Sequence, residues 1–109
     1  MRRPLTIKTH AGKQKIVWES NSAEIEDNER GVYLPEKAQI HIAPGYSKAD
    51  EAVTLLHEAL HVLIAEARDG GAKLPLRHEE AYVEALAPRV CRLLIDNPCL
   101  ISLVKERLS

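Results

Sequence analysis

The 109-residue chain has only two cysteines, no glycine-rich phosphate loop, no nucleophile elbow and no Cys-x-x-Cys pair. Cys91 and Cys99 lie in a Leu/Ile-rich segment and read as reduced thiols, which excludes a disulfide framework. No apolar run approaches the length needed to cross a bilayer, so a membrane-spanning protein is not expected. The basic start Met1-Arg2-Arg3 is followed by Pro4, Thr6 and Lys8 rather than by an apolar stretch. It does not read as a signal peptide, and a cytoplasmic protein is expected. A formal net charge of −1 leaves no excess of either sign, and nothing in that balance points to nucleic acid. There is no internal repeat and no low-complexity segment, and the length suits one domain, residues 1–109, with one core.

What is present divides into a strand-like first half and a helical second half. Leu5-Thr6-Ile7 and Lys15-Ile16-Val17-Trp18 are β-favouring runs on either side of the turn-like Ala11-Gly12-Lys13, which predicts a hairpin. Residues 20–30 are polar and acidic and read as an exposed connection. Gly31-Val32-Tyr33-Leu34 predicts a strand stopped by Pro35. The alternation in Ala38-Gln39-Ile40-His41-Ile42-Ala43 predicts a half-buried strand with Ile40 and Ile42 inward and His41 outward, as an ordinary surface histidine. His10, near the turn, reads the same way, and Trp18 reads as core.

Ser47, with Asp50 three residues on, predicts the start of a helix that runs to about Arg68 and ends at Asp69-Gly70-Gly71. Its expected buried stripe is Val53, Leu56, Leu60, Leu63, Ile64 and Ala67. A second helix is expected from about His78 to Ile95, with Val83, Leu86, Ala87, Val90 and Leu94 on one face and a kink or break at Pro88. A short last helix should begin at Pro98. The class is α+β: a small antiparallel or mixed sheet of three or four strands packed on one helix, with two further helices after it.

The first helix carries His57-Glu58-Ala59-Leu60-His61. Residues four apart share a helix face, so His57 and His61 can aim ring nitrogens at one Zn²⁺ ion. Glu58, about 100° round the helix, stays off the metal but near a water on it, as a candidate general base. The spacing alone arises by chance often enough to be only suggestive. Its place in mid-helix, between clear start and stop signals, strengthens it.

A catalytic zinc site usually takes three protein ligands and leaves one position open. The densest remaining group of donors is His78-Glu79-Glu80-Ala81-Tyr82-Val83-Glu84. Glu80 precedes Val83 and Ala87 by three and seven residues and is the favoured third ligand. Glu84 is an alternative ligand, or a carboxylate that hydrogen-bonds a ligating histidine. Glu79 reads as part of a solvated first turn that suits the helix dipole, although it and His78 remain alternatives for those same two roles. His78 and Tyr82 are also possible donors to a tetrahedral oxyanion, with packing the plainer role for Tyr82.

His57-Glu58-Ala59-Leu60-His61 followed by Glu80-Ala81-Tyr82-Val83-Glu84-Ala85-Leu86-Ala87-Pro88 resembles the ImmA/IrrE-type metallopeptidases, particularly small phage-encoded members. The resemblance spans most of the chain and departs from the common pattern at Tyr82, where Asn often follows the acidic ligand and Ala. It implies His57, His61 and Glu80 as zinc ligands, Glu58 as catalytic base and a gluzincin-like minimal fold. It also implies a protein or peptide substrate, with the strand at residues 38–43 bordering the cleft and pairing with an extended peptide. The competing expectations are a non-catalytic zinc-binding interaction or regulatory module, and a metal-free helical interaction domain. Oligomeric state and substrate identity do not follow from the sequence.

Overall fold

The computed structural model describes residues 3–20 and 22–109 of the chain. Met1 and Arg2 in the reading of the N-terminus, and Asn21 in the 20–30 connection, lie outside the described residues. The fold is α+β: a four-stranded mixed sheet at the N-terminal end, then three helices.

Strands β1 (Thr6–Thr9) and β2 (Gly12–Trp18) form the expected hairpin, with Thr9 opposite Gly12. The connection is the pair His10-Ala11, and Gly12, at φ 129°, already belongs to β2. Strands β3 (Gly31–Leu34) and β4 (Gln39–Ile42) form a second antiparallel pair, joined through a 3₁₀ turn at Pro35–Lys37. The two pairs join through β2 and β4, which run parallel, so the sheet order is β1-β2-β4-β3.

That order corrects one expectation. β4 is hydrogen-bonded on both sides and cannot take an added peptide strand. Among the described residues the sheet has two outer edges, those of β1 and β3, and only these are open to such pairing.

Period-two alternation puts Ile16, Ile40 and Ile42 on one face of the sheet, and all three are buried there with Val62 of the first helix. His41 points to the opposite face, as expected, but it is not a surface histidine. Only 8% of it is exposed, with Nδ1 at 2.9 Å from Ser22 Oγ and Nε2 at 2.9 Å from Gln39 Oε1. The β2–β3 connection reaches over this face through Ser22, and a buried imidazole needs such partners.

Helix α1 spans Lys48–Asp69. Ser47 caps it by accepting the Asp50 N–H at 3.1 Å, while the Asp50 side chain pairs outward with Arg30. At the other end Gly71, at φ 100°, donates to the Arg68 carbonyl and Ala72 donates to that of Ala67. This is the paired-bond stop that a left-handed glycine permits.

The buried face of α1 differs from the expected stripe. Leu55 packs on the core and Glu58 and Val62 are buried, whereas Leu63 is 48% exposed and Ala67 is exposed. α1 is gripped by the sheet on one side and by the next helix on another, so a single amphipathic stripe is the wrong template.

Helix α2 spans Glu79–Asp96 and buries Val83 and Ala87, with Val90 and Leu94 half-buried behind them. Leu86 is exposed, not part of that face. Pro88 does not split the helix, which continues unbroken to Asp96. The Arg89 side chain donates to the Ala85 carbonyl in the turn that the proline disturbs. Helix α3 (Pro98–Leu108) begins at its proline, as expected. Cys91 and Cys99 are both free thiols. Among the described residues, no helix is long and apolar enough to cross a membrane.

Candidate metal centre

Four-residue spacing on α1 brings the two imidazoles together, with His57 Nε2 and His61 Nε2 3.3 Å apart. Across from them the first turn of α2 delivers Glu80, with one oxygen 2.8 Å from His57 Nε2 and the other 2.9 Å from His61 Nε2. One ligand atom from each of the three residues falls within 4.8 Å of the others, and the group can hold a metal ion.

The chemistry of the donors fits a divalent cation. Two nitrogens bound to one zinc at about 2.05 Å and a tetrahedral angle would stand roughly 3.3 Å apart, which is the separation found. When both rings carry their protons on Nδ1, the two Nε2 lone pairs face each other and a cation between them can take both.

Glu79 corrects the expectation of a solvated first turn. Its Oε2 accepts from His61 Nδ1, and its Oε1 takes Arg68 Nη2 at 2.8 Å. With Nδ1 committed as a donor, the lone pair of His61 sits on Nε2 and faces Glu80 and His57. Burial would lower the pKa of His61, but the Glu79 bond and the nearby Glu58, Glu80 and Glu79 charges outweigh it and the net shift is upward. Burial would raise Glu79, yet its bonds to His61 and Arg68 hold it below the usual carboxylate range.

Arg68 is the residue that sequence reasoning missed. It lies seven positions after His61, two turns along the same face of α1, and that spacing was the available signal. Its guanidinium also donates Nε–H to the Leu74 carbonyl at 3.0 Å. One side chain thus holds the α1–α2 loop and the Glu79 carboxylate together, and so fixes where α2 begins relative to the two histidines.

Glu58 lies beside the group and not in it, with Oε1 3.9 Å from His57 Nε2. It is 6% exposed, and burial, reinforced by the Glu80 and Glu29 charges, pushes its carboxyl up to about 7. His61 and the Tyr33 backbone amide pull the other way. A carboxyl tuned to neutrality has the affinity a general base needs.

These groups line a cleft of about 470 Å³ between α1, α2 and β3, with Gly31 and Tyr33 on the strand side. Gly31 is required there, because a β-carbon would stand 2.8 Å from Thr54 Cγ2 and 3.3 Å from Glu58 Cγ. The strand reaches Glu58 only because that position has no side chain.

Glu84 lines the same cleft without joining the metal group. His78 is turned away, accepting from Arg77 Nε at 3.1 Å with its ring 6.0 Å from that of Tyr82, which is 59% exposed. Neither lines the cleft. His10 is exposed, and Trp18 packs at the edge of the core with Nε1 donating to the Pro4 carbonyl.

Comparison with protein-family models, with curated proteins and with solved structures finds no match to this chain.

Proposed function

We propose that the chain is a zinc-dependent metallopeptidase of the ImmA/IrrE-like kind, which hydrolyses peptide bonds in a protein substrate. The observation that carries this reading is the closure of Glu80 on His57 and His61, with a buried carboxyl of raised pKa, Glu58, at the group's edge. His57, His61 and Glu80 would hold the ion. Zinc in that position polarises a peptide carbonyl and acidifies water.

The other steps belong to the chain's own residues. Glu79, itself held by Arg68, keeps the His61 ring in its ligating tautomer. Glu58 takes a proton at its carboxylate within the cleft and returns it to the departing amine. The outer edge of β3 offers main-chain groups to an extended peptide, which is how a strand edge selects backbone rather than side chain. This edge takes over the role first expected of residues 38–43.

The test is elemental analysis together with digestion of a library of denatured proteome-derived peptides, read by mass spectrometry. One zinc per chain is expected in the wild type, lost in His61→Ala and weakened in Glu80→Ala. Glu58→Gln should keep the metal and lose cleavage, by about 10²–10⁴-fold, the usual contribution of a general base. Metal without cleavage in the wild type would favour a non-catalytic zinc module. No stoichiometric metal would remove both readings.

A further inference from the structure

A compact monomer of this chain's 12.2 kDa would expose about 6,000 Å² of surface by the usual scaling with mass, whereas the chain exposes 8151 Å². The radius of gyration tells the same story, at 14.3 Å against about 13 Å for a compact domain of this length. The surplus of roughly 2,100 Å² lies within the 1,000–2,500 Å² or so that each partner buries in an obligate homodimer.

Much of that surface is apolar and sits at the C-terminal end. Leu100, Ile101, Leu103, Val104 and Leu108 fall on one face of α3, roughly 160° wide at 100° per residue. Leu100 is the best covered of them, Ile101, Leu103 and Val104 are about half exposed and Leu108 is 82% exposed, and among the described residues α3 buries none. Isolated helices of fewer than about 12 residues are marginal in water, so an 11-residue helix with an uncovered apolar face lacks what would keep it helical. On α2, Leu93 is likewise about half exposed.

We propose that this face pairs with the same face of a second copy of the chain, so that α3 and the outer side of α2 form a symmetric helical interface. Three observations favour a second copy as the occupant. The surplus area is that of an obligate homodimer. The α3 face carries five apolar positions with Arg107 alone among them, and an apolar face is complementary to itself, whereas a docking face for an oppositely charged partner would repel its own copy. A net charge of −1 leaves no long-range repulsion between copies. The pairing stands apart from the metal site and does not depend on what that site does.

Sedimentation equilibrium of the full chain from about 1 to about 100 μM tests this, a range that brackets micromolar association. The expected result is a species of twice 12.2 kDa. Leu103→Glu/Val104→Glu should raise the dimer Kd by at least about 10³-fold, since each change occurs twice across a two-fold interface. Ser102→Glu, on the opposite face of α3, should leave the dimer intact. The surfaces changed are exposed in the single chain, so the paired variant should keep the helical circular dichroism of residues 48–96. A wild type that stays monomeric throughout would overturn the proposal and give the face to an unlike protein. A dimer indifferent to Leu103→Glu/Val104→Glu would overturn it by placing the interface elsewhere.

Discussion

The carboxylate of Glu79 bonds His61 at Nδ1, on the side of the ring opposite Glu80, and so decides which nitrogen of that ring is free to bind metal. Carboxylates behind ligating histidines are commonly worth about 10–100-fold in metal affinity. Glu79→Ala is therefore expected to weaken metal binding by that factor, and Arg68→Met, which leaves the carboxylate in place but unheld, by less. Competition against a chromophoric chelator measures both. Wild-type affinity in Glu79→Ala would mean that the ring is held by helix packing alone.

Gly31 sets the distance between the edge strand and Glu58. In Gly31→Ala the new methyl meets Thr54 Cγ2 at 2.8 Å and the His41 carbonyl at 3.2 Å, and the carbonyl belongs to the paired strand β4. Overpacking of this kind costs about 1–3 kcal/mol. Thr54→Ser removes the nearer contact, so the double variant should recover part of the loss. Urea unfolding of the four proteins forms the cycle. Strict additivity would show that the strand simply moves away from α1.

Much of this architecture was legible from residues alone. The strand at Gly31–Leu34 was marked by its β-favouring run and by Pro35, and α1 by Ser47 at one end and the glycine pair at the other. His57, His61 and Glu80 followed from four-residue spacing and from the register of Glu80 against Val83 and Ala87. What sequence could not supply was lateral order. The parallel joining of β2 and β4 buries β4 and leaves β3 at the edge, and nothing local in either strand records it. Glu79 was misjudged for a related reason. A first-turn glutamate suits the helix dipole in any context, and only the docking of α2 on α1 turns this one inward.

The buried side of α1 gives that lesson a quantitative form. Ile40 is fully buried on the sheet beneath Val62, while Leu63, one position from Val62, is half exposed. Ile40→Ala should cost about 2–5 kcal/mol, whereas an exposed substitution such as Leu63→Ala should stay within about 0.5 kcal/mol. Chemical denaturation with a common slope checks both. A large loss in Leu63→Ala in the chain at low concentration would restore the stripe through Leu56, Leu60 and Leu63 as the principal buried face.

Arg3 meets Glu51 in a two-pronged bond, Nε and Nη2 lying 2.7 and 2.9 Å from the two carboxylate oxygens, which ties the approach to β1 to the first turn of α1. The Arg3 bond is the main influence on Glu51, and against the opposing effect of burial it holds the carboxyl, with the arginine's charge and the Gly45 backbone amide, below its ordinary value of 4.5. A carboxylate lowered by folding contributes stability at every pH above its unfolded value, and the contribution disappears as pH falls through the folded one. Wild type should therefore exceed Glu51→Gln in Tm by a constant margin from neutrality down to about pH 5, and the margin should close below about pH 4. Because the Arg3 side chain is half exposed, the margin should also shrink in high salt. A margin that survives unchanged at low pH and in salt would assign the effect to packing of the Glu51 side chain and not to its charge.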